Sequence, residues 1–304
     1  MLETSVQDAL TRSAGGGVLP VSKKLKFSFD RSFIGIIPFL LLVGYFFFYP
    51  IAVVFSDSLH DNKHHLTFSA YKALFGGDYR NAFIGSFELA AYSMAISALI
   101  GALICWAVVK TQGHSRKLIS AAAGVLTSTG GIPLAFSFIA AFGQEGLVTK
   151  ILLKVFHWDI YGGAFDIYNF WGILLVYCFF QVPLMVIVFT PAVENLKVEW
   201  QEANETLGGS RSHYLRHVVL PVLFPAFLSS CLLLFASGFS AYATAAAMSN
   251  GTIPLVPLLI GNLVNGEVIA DQANQGDALA MGMILISVLV FGLYALVLRL
   301  AKKK

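Results

Sequence analysis

Long uncharged runs alternate along this chain with short polar segments that carry nearly all the charge. Crossing about 30 Å of hydrocarbon as a helix takes roughly 20 apolar residues. Six runs meet that length: Phe33–Phe55, Leu89–Val109, Leu118–Phe142, Phe170–Thr190, Val222–Met248 and Ala278–Leu298. The pattern predicts an all-α polytopic membrane protein with six transmembrane helices. Two further apolar stretches are too short to span. Leu147–Phe156 has Lys150 and Lys154 at i, i+4 and reads as a short amphipathic helix at the outer surface. Ile253–Val264, which contains Pro254 and Pro257, reads as a re-entrant or interfacial piece.

The polar segments fix an expected orientation. Of 20 Lys and Arg, only Lys63, Lys72, Arg80, Lys150 and Lys154 fall on one side of such a six-span chain. The rest, including Arg12, Lys23, Lys24, Lys26, Arg31, Lys110, Arg116, Lys117, Lys197, Arg211, Arg216, Arg299 and Lys302 to Lys304, fall on the other. The positive-inside rule then places both termini and the 191–221 segment in the cytoplasm. Residues 1–32 read as a polar, mostly disordered cytoplasmic tail. Residues 33–298 read as the six-span domain, and 299–304 as a basic cytoplasmic tail. The first apolar run follows some thirty polar residues and is too long for a signal peptide.

Composition agrees. The chain is 57% hydrophobic and 12% charged, with mean hydropathy +0.74. Soluble domains carry about 25% charged residues. The net charge of +3 comes from basic residues that flank spans, so nucleic acid is not implied. Cys105, Cys178 and Cys231 each lie inside an apolar run and read as small core residues. Asp57, His60, Asp61, His64 and His65 in the outer Ser56–Ile84 segment lack regular ligand spacing, so no metal site is expected. No hydrolase, zinc or phosphate-loop motif is present, and no catalytic residue is assigned.

Polar residues inside the apolar runs are candidates for a solute path. Glu88 is the only ionisable side chain near the hydrocarbon part of a span, where charge is costly. Thr127, Ser128, Thr129, Gly130, Gly131 and Pro133 weaken the third span at its middle. A broken helix there exposes backbone groups to a substrate, and small residues equally favour close helix packing. Gln181 and Pro183 make a polar spot in the fourth span. Ser237, Ser240 and Thr244 share a face of the fifth, with Phe239 and Tyr242 alternating.

The 191–221 segment is the most organised. Leu196, Trp200, Ala203 and Leu207 fall at i, i+4, i+7 and i+11, one stripe of a helix. Gly208 is placed to end it as a left-handed cap. A second short helix is expected next, with Leu215, Val218 and Val219 on one side. Leu220-Pro221 is expected to start the following span.

Glu202, Ala203, Gly208, Leu220 and Pro221 match, in register, the Glu-Ala-Ala loop of ABC importer permeases. Asn204 stands where that pattern usually has Ala, and Val218 where it has Ile. From about Phe83 onward the chain resembles the transmembrane domain of a type I, binding-protein-dependent importer.

The resemblance implies that Glu202, Ala203, Asn204, Leu207, Gly208, Leu220 and Pro221 couple to an ATPase. It implies a second permease chain, homologous or identical, two ATP-binding subunits and an extracytoplasmic binding protein. ATP and Mg would belong to the partner ATPase, and this chain would bind no cofactor. Phe142-Gly143-x-Glu145-Gly146-Leu147 and Phe239 to Thr244 look most like the polyamine, aminophosphonate and ferric-iron branch. Sugar or glycerol-phosphate permeases share the Glu202 loop and stay open as alternatives. A secondary transporter would have no use for that loop.

Overall fold

The computed structural model describes residues 32–60, 65–110, 114–162, 166–249, 253–264 and 273–302. The expected N-terminal tail, Asp61, Lys63, His64, Lys303 and Lys304 lie outside the described residues. Among those described, every extended element is a helix, and a lone bridge pairs His60 with Leu66. Six helical stretches are long and apolar enough to cross a membrane: Ile36–Ser58, Gly77–Lys110, Ile132–Phe156, Phe170–Glu194, Arg211–Phe239 and Asn274–Arg299.

The chain divides into two units at Pro50. In the first, α1 (Ser32–Val43) runs into a π-turn at Gly44–Phe48, whose Tyr45 stacks on Tyr49 just after it, at 5.3 Å. The wider turn lies just before Pro50, whose ring cannot donate to the ladder. Helix α2 (Tyr49–Ser58) follows, and all of it beyond Pro50 belongs to the second unit.

The second unit holds α3 (Ser69–Leu74), α4 (Gly77–Lys110), α5 (His114–Ser128), α6 (Ile132–Phe142), α7 (Leu147–Phe156) and α8 (Phe170–Glu194). Beyond them come α9 (Val198–Thr206), α10 (Arg211–Tyr214), α11 (Leu220–Phe239), α12 (Ala243–Ser249), α13 (Val256–Val264) and α14 (Ala273–Lys302). The central pair is α4 against α8, with α11 packed on both and α14 on α11. Small residues permit that approach. A Cβ on Gly101 would sit 2.6 Å from the Met185 side chain. One on Gly238 would sit 2.6 Å from Gln181 Nε2. Among lipid tails, close packing of this kind replaces the hydrophobic drive as the glue between helices.

The observed elements correct several expectations. The third run is not one helix. It splits into α5 and α6 because Gly131 adopts φ +87° and Pro133, two residues on, has no N–H to give. The long apolar stretch instead continues from α6 through α7, after a bend at Gly143 to Gly146. The fifth run ends early, at Phe239, and resumes as α12 after a turn at Ser240 to Tyr242.

Leu220-Pro221 opens α11 as expected, with the proline in its first turn, but it does not open the helical stretch. Helical backbone already begins at Arg211, and a π-turn at Leu215–Val219 leads into α11. The separate second short helix is therefore absent; α10 is the first turn of a continuous rod. The second span starts at Gly77 rather than near Leu89, so Glu88 lies about three turns inside its helix. The short amphipathic helix Leu147–Phe156 is found with the expected bounds, and Lys150 bonds Glu145 at 2.6 Å. The Ile253–Val264 stretch forms α13, whose Val256, Pro257, Leu258 and Leu263 are buried.

Candidate functional site

Two places gather the residues singled out above. The first is the α9 loop. Helix α9 ends in a Schellman cap: Gly209 N donates to Asn204 O at 2.8 Å, and Gly208 N donates to Glu205 O at 3.0 Å. Gly208 takes φ +78°, and no atom lies within 4 Å of the Cβ it lacks. The cost of any other residue there is therefore backbone strain, not crowding.

Asn204, the departure from the Ala pattern, fastens the turn. Its Nδ2 donates to Gly209 O at 3.0 Å and to Ser210 O at 3.3 Å. A Cβ on Gly209 would collide with the Asn204 amide at 2.2 Å, so the second glycine is required by the first asparagine. Sequence reasoning passed over Gly209, although Asn four residues before a Gly-Gly pair was the available signal.

Leu196, the first member of the stripe, packs with Val193 and Tyr214. Beyond it the apolar side chains face outward: Trp200 is 37% exposed, Leu207 is 87% exposed, and Ala203 is exposed beside them. Val198 joins them at 67%, a residue the stripe did not contain. Ser210 then caps α10 by accepting from His213 N. Glu202 is exposed on α9, and Leu220 and Pro221 lie in the rod that follows.

The second place is a cavity of about 310 Å³ where the two helix breaks meet. Thr127, Gly130 and Gly131 line it from the α5–α6 break, and Ser237, Tyr242 and Thr244 from the α11–α12 break. Helix α12 packs on α6, and Tyr177 Oη donates to Ala241 O at 2.6 Å, holding the second break open. Phe180 and Leu184 of α8 close the wall.

Of the hydroxyls that line this cavity, Thr127 has committed its proton, and so have Ser128, Thr129 and Ser240 beside the two breaks. Thr127 Oγ1 donates to Ala123 O at 2.8 Å, and Ser128 Oγ to Gly124 O at 3.0 Å. Thr129 Oγ1 donates to Leu126 O and Ser240 Oγ to Ala236 O. Such back-bonding spends the donor and leaves oxygen lone pairs for a ligand. No charged side chain of either sign lines this cavity.

The remaining candidates lie elsewhere. Thr129 borders a separate cavity with Pro133, Ser137, Phe138 and Phe179. Ser128 and Ser240 are exposed. Gln181 is 0% exposed; its Nε2 donates to Ser93 Oγ at 3.1 Å and lies against Gly238. Its Oε1 is buried without a hydrogen-bond partner. Glu88 is exposed on α4, on one stripe with Tyr92, Ala95, Leu99 and Leu103. Among the described residues, no group of His, Cys, Asp or Glu could hold a metal ion. Asp57, His60 and His65 form no such group, and His60 Nδ1 contacts Ser56 O at 2.7 Å.

No protein-family model matches the chain. Relatives do. The spermidine/putrescine transport system permease protein PotC of Haemophilus influenzae is 24% identical over 267 residues, 86% of this chain and 95% of that protein. The probable sulfate transport system permease protein cysT of Chlorella vulgaris is 24% identical over 222 residues, 72% of this chain and 77% of its own. Among solved structures, a chain of a bacterial ABC transporter involved in the import of the acidic polysaccharide alginate matches with TM-score 0.66. It is 11% identical, and the match covers 90% of this chain and 95% of that one. That likeness fixes the fold.

Proposed function

We propose that this chain, a multi-pass permease subunit of an ABC importer, forms part of the path of a small organic cation of the polyamine class. ATP hydrolysis belongs to separate ATPase subunits. In this reading an extracytoplasmic binding protein delivers the solute, and a second permease chain completes the path. The α9 loop docks on the ATPase, so that closure of the nucleotide sites moves the rod behind it. Both termini lie in the cytoplasm.

The observation that carries the substrate reading is the cavity between the two breaks. Its polar side chains are the hydroxyls of Thr127, Ser237, Tyr242 and Thr244, and the Thr127 proton is spent on the carbonyl of Ala123. An ammonium group has three donors and no acceptor, and finds there what it lacks. Sulfate would be favoured by positive charge, and no cationic side chain is present in that lining. Glu88, exposed on α4 about three turns into its helix, would draw a cation toward the path. The aromatic faces of Phe180 and Tyr242 in the same cavity favour a sugar as the second reading.

Uptake in reconstituted vesicles tests this. Glu88→Gln and Ser237→Val are expected to lower polyamine uptake severalfold while the assembled complex still hydrolyses ATP. Binding measured on the extracytoplasmic protein gives an independent check. If it takes up sulfate or a disaccharide and ignores spermidine and putrescine, the cation reading fails.

A further inference from the structure

A basic cavity and an apolar groove join at the root of the α9 loop. The cavity, about 500 Å³, is bounded by the ends of α4 and α8 and the starts of α9 and α10. Lys110, Lys197 and Arg211 line it, and no carboxylate does. Among the described residues, none of the three forms an ion pair. Lys110 Nζ instead lies 4.9 Å over the Trp106 ring. Three uncompensated cations within one cavity repel each other, and an anion relieves them.

Trp106 and Leu215 also belong to the groove, about 650 Å³, which follows α4 and α11 away from the cavity. Every residue of its lining is apolar, and Leu99, Leu103, Leu220 and Phe224 are exposed along it. From Lys110 to Leu99 the helix rises about 16 Å. One leaflet of hydrocarbon is about 15 Å deep. A charged pocket at the membrane surface thus opens into a greasy channel of one-leaflet length.

We infer that this composite site binds one anionic phospholipid of the cytoplasmic leaflet. Its headgroup phosphate lies among Lys110, Lys197 and Arg211, and an acyl chain lies in the groove. Anionic lipids are drawn to such juxtamembrane basic clusters. Because Lys197 caps α9 and Arg211 opens the rod, the lipid would staple the two sides of the coupling loop together. The inference is independent of which solute is carried.

The test uses the assembled importer with its ATPase subunits and partner permease, purified in detergent. Native mass spectrometry compares retained phosphatidylglycerol with phosphatidylcholine of the same chains. Wild type is expected to favour the anionic lipid by about tenfold or more. Lys110→Gln combined with Lys197→Gln and Arg211→Gln should bring that ratio near unity. Ala102→Phe, which fills the groove and leaves every charge, should reduce retention of both lipids. Matched gel-filtration profiles show that each variant still assembles. Equal ratios in wild type and the triple variant overturn the assignment. So does full retention in Ala102→Phe, which would reduce the basic cluster to a diffuse counter-ion field. Displacement of the lipid by millimolar inorganic phosphate overturns it in favour of a free-anion site. Disulfide capture of Leu103→Cys by the partner permease overturns it by filling the groove with protein.

Discussion

Gly208 and Asn204 do different work in the same turn. Gly208 supplies positive φ with open space around it, so Gly208→Val costs about 1–2 kcal/mol of backbone strain alone. Asn204 supplies two hydrogen bonds, each worth about 1 kcal/mol net. Asn204→Ala restores the usual motif residue yet loosens the link between α9 and Ser210. Both variants should insert normally and lose co-purifying ATPase, Gly208→Val the more. Ala203→Asp separates fold from docking. Ala203 is exposed, so a charge there disturbs nothing within the chain, whereas burying it unpaired in a partner would cost a few kcal/mol. Wild-type ATPase association in Ala203→Asp would reject the docking role of this face.

At the scale of elements, the two helix breaks make the cavity, and they differ in how readable they were. The α5–α6 break was legible because three hydroxyl residues, two glycines and a proline stand together in an apolar run. The α11–α12 break was not, since Ser240, Ala241 and Tyr242 are ordinary helix residues. What stops that helix is tertiary: the Tyr177 hydroxyl captures the Ala241 carbonyl, a partner 64 positions away. Gly209 was missed for a similar reason, because its need arises from where the Asn204 amide folds. The length of the α4 helix was hidden by its polar first turns, which sequence hydropathy assigns to a loop. Gly130 offers the direct probe of the cavity. Its missing Cβ would meet Phe180 at 3.9 Å, an ordinary contact, so Gly130→Ala should transport normally. Gly130→Leu reaches into the open volume and should abolish uptake with the complex intact. Unimpaired uptake in Gly130→Leu would remove the cavity from the path.

For the whole molecule, the basic residues set an orientation that is directly measurable. In a background lacking Cys105, Cys178 and Cys231, Gly77→Cys should react with an impermeant thiol reagent in intact cells. Ser210→Cys should react only after the membrane is opened. The reverse result would invert the chain and place the α9 loop away from ATP.

That loop is joined to the cavity by one uninterrupted helical rod, Arg211–Phe239. At 1.5 Å per residue it is about 43 Å long. It carries Pro221 and Pro225 beside the π-turn at Leu215–Val219 and still runs as one helix, so movement at one end is passed to the other as tilt or twist. It behaves as a lever and as a torsion bar. A tilt of about 5° about its cytoplasmic end would carry Ser237 sideways by roughly 3–4 Å, comparable with the width of a methylene chain. Twist matters equally, since each residue advances the helix by about 100°. One alanine inserted between Val222 and Leu223 would leave both ends chemically intact while turning Ser237 to face another direction. Such a chain should still bind its ATPase, and ATP should still be hydrolysed, with no solute moved.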